Sequence, residues 1–276
     1  MVIIDGHVHI CGPPLNQEYI KSTSADGSII NLPFKRADCS VDKLLQAMDK
    51  YNIDMALVNA FTGAITNEQL SQIVKENQGR LIGFAWIDKP LDEEESVIEM
   101  ENAYYKLGLR GLKLNPGTQQ FNPADPKIYP LIKKAAELKI PIFIHMFPWP
   151  LDAFDYTKVE HLYTLKKHVP DAIILVGHTG YQHFMDLFPL ADYPGIYVET
   201  SFGLEMIANL FDIKFAERFI RRIGIDKIVY GSDWMGTQYE KERIIDNNFN
   251  IFEKMNLTKE EKDKILGENI RQLMGL

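Results

Sequence analysis

The sequence has few cysteines, no excess of basic residues and no long apolar run. Cys11 and Cys39 are the only cysteines among 276 residues. They are too few for a disulfide framework, so we expect reduced thiols and a cytoplasmic location, with a Cys11–Cys39 bridge as the less favoured alternative. The net charge of −8 disfavours nucleic acids and anionic membranes as partners, because both bind basic surfaces. The longest apolar runs, such as residues 172–177, are far shorter than the roughly 20 residues that cross a bilayer.

Further absences limit the possible cellular location and the possible fold. No basic and apolar leader precedes the first β-rich segment, so we expect no secretory signal. No glycine-rich phosphate loop follows that segment, which disfavours dinucleotide binding. The sequence also lacks repeats, linkers and low-complexity tracts. We therefore predict one domain over residues 1–276.

What the sequence does contain is a regular alternation of β-rich and helical segments. Eight runs are rich in Val, Ile and Leu, and they cover residues 2–8, 55–59, 81–86, 111–114, 140–145, 173–177, 196–199 and 227–231. Such alternation predicts a parallel sheet with right-handed crossovers. Eight repeats in a chain of this length predict a single (β/α)₈ TIM barrel, which typically needs about 250 residues. An open doubly wound sheet is the alternative.

Several polar residues and one proline predict where helices begin. Ser40 and Asn67 are expected N-caps, and Pro130 suits the first turn of a helix. An extra C-terminal helix is predicted from Thr258, where Glu261 completes a capping box. The long loop after strand 1, residues 10–39, is expected to form a lid or a pocket wall, since connections of that length are usually functional.

The first β-rich run carries two histidines at alternate positions, in the order Asp5-Gly6-His7-Val8-His9. Residues two apart in a strand point to the same face, so Asp5, His7 and His9 are expected to share the barrel interior. Two inward imidazoles at a strand's carboxyl end form a natural chelating pair for a metal such as zinc.

Other polar residues end later strands. His145 ends the fifth predicted strand, His178 ends the sixth, and Asp233 follows the eighth. Enzymes with this fold place their active sites at the carboxyl ends of the strands. Any one of these residues could be a satisfied core histidine or a helix cap, but their common location favours a site.

The remaining candidates have simpler interpretations. His161 and His168 fall in a predicted helix and are expected on the surface, whereas His183 could reach the pocket edge. Lys113 lies between leucines in the fourth predicted strand. It is expected to bind an anionic substrate group, to bridge two metals as a carboxylated lysine, or to extend to solvent.

Taken together, these motifs resemble the amidohydrolase superfamily. The motifs are Asp-Gly-His-Val-His on strand one, histidines on strands five and six, and Gly-Ser-Asp-Trp on strand eight; the C-terminal segment 265–271 also fits. The nearest branch is the amidohydrolase-2 group, which includes aminocarboxymuconate-semialdehyde decarboxylase, resorcylate-type decarboxylases, and lactone or amide hydrolases. The resemblance implies one Zn²⁺, or another divalent cation, held by His7, His9, His145 and Asp233. It also implies that His178 is catalytic.

These assignments lead to two reactions. In the favoured one, metal-activated water attacks a small amide, lactone or ester that carries a carboxylate, Asp233 accepts the water's proton, and His178 stabilises the oxyanion or protonates the leaving group. The alternative is non-oxidative decarboxylation of an unsaturated or aromatic acid. Lys113 and the short chain favour hydrolysis. A catalytically inactive metabolite-binding barrel is a third class, which the intact His/His/His/Asp set disfavours.

The expected partner is a small-molecule substrate, and a homodimer is left open. Aromatic residues in the loops after the strands are expected to contact a planar or cyclic substrate. Trp149 and Trp234 are the main candidates, with Phe147 and Phe202 nearby in sequence.

Overall fold

The computed structural model describes residues 2–11, 20–24, 29–32, 39–61, 63–149, 153–236 and 242–276. Eight parallel strands form one sheet in consecutive order along the barrel. They are β1 (Ile4–Val8), β4 (Met55–Asn59), β5 (Leu81–Trp86), β6 (Gly111–Leu114), β7 (Ile142–Ile144), β8 (Ile174–Val176), β9 (Ile196–Glu199) and β10 (Ile228–Val229). The predicted (β/α)₈ barrel is confirmed.

Backbone hydrogen bonds between the first and last strands draw the barrel closed. Gly6 N–H donates to the Tyr230 carbonyl at 2.9 Å, and His9 N–H donates to the Trp234 carbonyl at 2.7 Å. In the other direction, Asp233 N–H donates to the His7 carbonyl at 2.7 Å. This seam brings the ends of β1 and β10 together.

Helices cover the outside of the sheet. The longer ones are α1 (Val41–Lys50), α2 (Asn67–Glu76), α3 (Glu93–Tyr105), α5 (Tyr129–Glu137), α6 (Val159–His168), α8 (Gly203–Leu210), α9 (Ile213–Ile223) and α10 (Glu242–Lys254). Short ones are α4 (Pro116–Gln119), α7 (Leu187–Leu190), α11 (Lys259–Asp263) and α12 (Asn269–Met274). No helix in the described ranges is long and apolar enough to span a membrane.

The helix starts agree with the sequence analysis at most positions. Ser40 precedes α1, Pro130 lies in the first turn of α5, and Thr258 with Glu261 forms the predicted capping box. The assignment of Asn67 as a cap was wrong. Thr66 caps α2, because its side chain accepts from Gln69 N–H while the Asn67 side chain bonds both backbone groups of Trp86.

The strands are shorter at their ends than predicted. The sequence predicts that β-structure reaches residues 145, 177 and 231, whereas the observed strands end at Ile144, Val176 and Val229. His145 directly follows β7, and His178 lies two residues after β8. The polar residues predicted at strand ends therefore lie in the loops just after the strands.

The long loop after β1 contains a disulfide and a hairpin. Strands β2 (Ile20–Thr23) and β3 (Ile29–Leu32) pair antiparallel, and β2 lies near α4 at the carboxyl end of the barrel. Cys11 and Cys39 form a disulfide, so the expectation of two free thiols was wrong. The chain returns alongside β1, where Cys11 N–H donates to the Cys39 carbonyl at 2.9 Å, and this contact brings the two thiols together.

The barrel interior is apolar in its amino-terminal half. Side chains from β1, β4, β5, β7, β8 and β10 form one buried cluster of Ile4, Leu57, Ile82, Phe84, Phe143, Leu175 and Val229. From β6, Gly111 makes room for the Phe84 ring, because a Cβ there would lie 2.3 Å from it. Ile270 and Leu273 of α12 complete the cluster. A second, larger apolar cluster lies between the sheet and the helices.

Candidate metal centre and active site

Three predicted ligands meet above the apolar half of the barrel. The Nε2 atoms of His7 and His9 lie 3.0 Å apart. The Oδ1 atom of Asp233 lies 3.3 Å from the first and 3.2 Å from the second. Asp233 reaches this position from a left-handed backbone conformation, with φ 56°, directly after the seam with β1. His7 and Asp233 are buried, and His9 is partly buried.

The hydrogen bonds around these residues indicate a cation. His9 Nδ1 lies 3.0 Å from the Asn59 carbonyl, which can only accept, so this nitrogen carries a proton and the lone pair of the neutral tautomer is at Nε2. A second imidazole nitrogen and a carboxylate oxygen face the same point. Ligands bound at about 2.0–2.1 Å around one ion are separated by roughly 3.0–3.4 Å, as these atoms are. The donor set therefore fits a divalent metal.

Asp5 does not join this cluster, although the alternation in β1 predicts that it faces the interior. The register of β1 shifts between Asp5 and Val8, which is a β-bulge. Asp5 instead accepts from Ser232 N–H at 2.9 Å and from the Ser232 hydroxyl at 2.5 Å. Burial raises the pKa of Asp5 to about 7, against the effect of these hydrogen bonds. The residue ties β1 to the segment that carries Asp233.

His145 and His178 form a second group beside the first. His178 Nε2 lies 2.9 Å from His145 Nδ1, and the His178 ring lies 5.1 Å from that of His7. The Nε2 atom of His145 is buried and has no hydrogen-bond partner among the described residues. Such an atom is a candidate metal ligand. His145 stands apart from the close set of His7, His9 and Asp233.

Lys113 points into the site from β6 and is fully buried. Its Nζ lies 3.1 Å from His7 Nε2 and 3.8 Å from the centre of the Phe143 ring. Burial lowers the pKa of Lys113 to about 7, although the charges of Asp233 and Glu199 favour its ionised form. The interpretation of Lys113 as a solvent-directed lysine was therefore wrong. Its amine instead competes with a metal for the same histidine nitrogen.

Glu199 and Ser201 belong to the site, and the sequence analysis did not identify them. Glu199 ends β9, is fully buried, and accepts from His178 N–H at 3.0 Å and from the Ser201 hydroxyl at 2.9 Å. Its Oε2 lies 3.4 Å from His7 Nδ1. Burial raises the pKa of Glu199 to about 7, and the hydrogen bonds from His178 and Ser201 oppose that rise. The available signal was an acidic residue at the carboxyl end of a barrel strand.

The turn that carries His178 has an unusual backbone. His178, Thr179 and Tyr181 all have positive φ values, between 43° and 56°. Gly203 lies against this turn, and a Cβ there would come within 1.9 Å of the His178 carbonyl oxygen. Such conformations are costly for residues other than glycine and are concentrated at functional sites. The surrounding packing holds the His178 ring over the site.

Aromatic rings form one wall beside His178. Phe202 stacks near the His178 ring with centroids 5.8 Å apart, and Phe147 lies 5.7 Å from it. Phe147 also contacts Tyr181, with centroids 4.4 Å apart. These three rings, with Glu205, line a cavity of about 310 Å³. We refer to Phe147, Tyr181 and Phe202 as the aromatic wall.

The other sequence candidates differ in their surroundings. Trp234 is buried in the apolar core between sheet and helices, so we do not retain it as a substrate contact. Trp149 is half-buried and its carbonyl packs on Gly117. His168 is exposed and stacks on Tyr129, as expected for a surface residue. His161 is half-buried, and His183 pairs with Asp186 rather than with the site.

Burial favours the neutral form of His7, His145 and His178. It lowers the pKa of His7 and His145 well below the ordinary value and that of His178 to about 4. Burial opposes ionisation of Asp233, but bonding to His9 and nearby positive charge lower its pKa overall. Neutral imidazoles and an ionised carboxylate are the forms that bind a metal.

The chain belongs to the amidohydrolase family. The family model, described as amidohydrolase, matches residues 4–276. This result agrees with the resemblance drawn from the strand-end motifs. A search of curated proteins finds no match.

Solved structures with the same fold include decarboxylases and a hydrolase. The chain is 15% identical to 5-carboxyvanillate decarboxylase from Sphingomonas paucimobilis, with a TM-score of 0.70 over 100% of this chain and 99% of that one. It is 18% identical to a probable 2-pyrone-4,6-dicarboxylic acid hydrolase from Acinetobacter baumannii, with a TM-score of 0.71 over 100% of both chains. The chain is 19% identical to a dihydroxybenzoic acid decarboxylase from Polaromonas that was solved with manganese and 2-nitroresorcinol. The TM-score is 0.65, and the match covers 86% of each chain. At these identities the likeness establishes the fold.

Proposed function

We propose that the protein is a metal-dependent, non-oxidative decarboxylase of an aromatic carboxylic acid. The observation that carries this proposal is the aromatic wall beside His178, next to the close set of His7, His9 and Asp233. Rings that face a small cavity suit a planar substrate, since aromatic pairs add favourable stacking to apolar burial. The His178 ring also lies 5.1 Å from that of His7, in the proposed metal site.

The structural neighbours support this choice over hydrolysis. Several carry out decarboxylation of benzoic acids according to their names, including two solved with manganese. The sequence analysis favoured hydrolysis partly because the chain is short. Alignments that span 99% of the Sphingomonas decarboxylase and 98% of a Rhizobium decarboxylase remove that reason.

We assign the metal site to His7, His9, Asp233 and His145 on the strength of their donor atoms. The first three present converging acceptor atoms, and His145 Nε2 is a buried ring nitrogen without a partner in the described structure. Zinc suits this mixed nitrogen and oxygen set, and manganese is the ion in two of the neighbours. The ion, when bound, supplies positive charge that anchors and polarises the substrate's oxygen atoms.

Three side chains of the protein have separate tasks in this reaction. Lys113 holds the substrate carboxylate, because it is the buried amine nearest the metal ligands. His178 takes up a proton from solvent at Nε2 and delivers it to the ring carbon as the bond from that carbon to the carboxylate breaks and CO₂ leaves. Asp233 is held by His7 and His9, so it serves as a ligand and not as the acid. The net change is the aromatic carboxylate and one proton giving the arene and CO₂.

An assay of reaction products tests the proposal. Protein loaded with zinc or with manganese is incubated with dihydroxybenzoates, carboxyvanillate-type acids, lactones and amides, and both CO₂ release and net proton release are measured. We expect CO₂ from an aromatic acid. His178→Asn should lower turnover by about 10²–10³-fold and leave the metal content near that of the wild type. Metal loss in this variant would make His178 a ligand instead.

Hydrolysis of a lactone or amide is the second candidate. The buried Lys113 favours it as well, because a substrate carboxylate could bind there in either reaction. Ring opening of a lactone with release of a proton and no CO₂ would overturn the decarboxylase proposal in favour of this candidate.

A further inference from the structure

Two fully buried histidines of the site, His7 and His178, share a set of partners. His7 Nδ1 lies 3.4 Å from Glu199 Oε2 and 3.4 Å from the Ser201 hydroxyl oxygen. His178 Nδ1 lies 2.9 Å from that same hydroxyl oxygen. Both rings therefore turn Nδ1 toward Glu199 and Ser201, and both turn Nε2 toward the other histidines of the site.

The directions of these hydrogen bonds follow from Glu199. Its carboxylate receives the backbone N–H of His178 and both the backbone N–H and the hydroxyl of Ser201. The Ser201 hydroxyl donates its one proton to Glu199, so toward His178 Nδ1 it can act only as an acceptor. The same hydroxyl oxygen lies 3.4 Å from His7 Nδ1 and accepts from that nitrogen as well. Both protons then lie on Nδ1, and both Nε2 atoms carry lone pairs.

We infer that Glu199, with Ser201, is a positioning residue that fixes the tautomers of His7 and His178. This inference rests on the proposed metal site, because its purpose is to give His7 a free Nε2 for the ion. It assigns to Glu199 the task that the Asn59 carbonyl performs for His9. Partners of this kind orient the ring and raise the basicity of the ligand nitrogen.

The packing reserves the space for this carboxylate. A Cβ on Gly231 would lie 2.3 Å from Glu199 Oε1, so only glycine leaves room there. The alternative occupant of the space between His7, His178 and Glu199 is a second metal ion, since their ligand atoms lie within 4.8 Å of one another. The Ser201 hydroxyl already lies within 3.4 Å of all three groups. A hydrogen-bonded centre therefore fits better than an ion.

Nitrogen NMR of the metal-free protein tests this inference without any assay of turnover. Long-range ¹H–¹⁵N spectra of histidine-labelled protein distinguish protonated from unprotonated ring nitrogens. We expect His7 and His178 to be protonated at Nδ1 in the wild type. Ser201→Ala should reduce that preference at both rings, because it removes the acceptor of both Nδ1 atoms. Glu199→Gln should reduce it as well, because the Ser201 hydroxyl then loses the carboxylate that takes its proton. Ser201→Ala also keeps the test available if Glu199→Gln does not fold.

A matched control separates positioning from general support of the fold. Asp5→Asn removes a buried carboxylate that also bonds a serine and a backbone N–H but touches no imidazole ring in the described structure. We expect it to lower stability and leave the tautomers of His7 and His178 unchanged. Equal tautomer changes in Asp5→Asn and Glu199→Gln would overturn the inference.

Metal binding gives the second measurement. Glu199→Gln should weaken Mn²⁺ or Zn²⁺ binding by about 10–100-fold, the usual cost of losing such a partner, with one ion per chain throughout. A wild-type protein with Nε2 protonated at His7, or a Glu199→Gln protein with unchanged tautomers and metal affinity, contradicts the inference. Loss of a second ion in Glu199→Gln also contradicts it. Absence of CO₂ release from every substrate counts against the proposed function alone.

Discussion

The two halves of the barrel interior contrast sharply although the same strands build both. Toward the amino-terminal ends, Phe84, Phe143 and their neighbours fill the barrel with apolar side chains. One layer higher, the polar residues His7, Lys113, His178, Glu199 and Asp233 are just as completely buried. The lower half gains stability from burial, whereas the upper half buries groups that lose hydration. The contrast indicates that the stability gained from burial of the apolar layer offsets the free energy lost on burial of the polar layer.

Removal of a metal ligand should have the largest effect, and that effect should be confined to the polar half of the interior. His7→Ala should reduce metal affinity by more than the roughly 100-fold that loss of a ligand's partner can cost, and should abolish turnover. His145→Ala should have an effect in the same direction. The fold should survive in circular dichroism because the apolar half is intact. Elemental analysis measures the bound metal, and His168→Ala, at an exposed histidine, is the control; full occupancy in His145→Ala would remove that residue from the site.

Truncation in the lower half should affect stability and spare the donor set. Phe84→Ala should lower the free energy of unfolding by about 3–5 kcal/mol, because a buried ring is replaced by a cavity. Urea denaturation measures the change. Phe154→Ala is the matched control, since that ring is about half exposed. Similar losses in the two variants would show that the lower layer does not carry the stability we assign to it.

Substitution of Lys113 should raise stability at the expense of function. Lys113→Met keeps the length of the side chain and removes a buried amine, so we expect a gain of about 1–3 kcal/mol in unfolding free energy. Metal affinity should not fall, and KM for an anionic substrate should rise more than KM for a neutral analogue.

Lys166→Met provides the comparison for that variant. Lys166 is also buried, but its amine donates to the carbonyls of Pro170 and Ala172, so its loss should destabilise the protein and leave KM unchanged. Half the metal content in Lys113→Met, with recovery of the wild type by bicarbonate, would instead identify a carboxylated, bridging lysine.

The smallest expected effect concerns a carboxyl group outside the barrel. Burial raises the pKa of Glu99 from 4.5 to about 7. The folded state therefore holds this proton more tightly than the unfolded state, and stability falls as the pH rises from about 4.5 through 7. Glu99→Gln should increase stability by about 1 kcal/mol at pH 8 and by little at pH 4.5. Thermal unfolding at both pH values measures the change in stability, and Glu160→Gln, at an exposed residue, is the control. Equal gains at both pH values would show that the pKa of Glu99 is not raised.

The sequence by itself determined the barrel and most of the residues at its carboxyl end. Eight runs of branched apolar residues separated by helical periodicity leave few alternatives to a parallel barrel. Because the carboxyl ends of parallel strands meet at one end, the positions of His7, His9, His145, His178 and Asp233 along the chain predicted that they would lie at one rim. The sequence also predicted that Thr258 caps the start of α11, because a capping box involves only residues that are close in sequence.

The tertiary structure decided which of these groups touch and what holds them. Glu199 and Ser201 are two residues apart in sequence but reach His7 across the barrel, and no local pattern encodes that distance. The bulge in β1 turns Asp5 away from the site, and the return of the chain after residue 39 joins Cys11 to Cys39. Trp234 packs into the core instead of lining a pocket. Such outcomes depend on strand register and packing between distant segments, which periodicity does not determine.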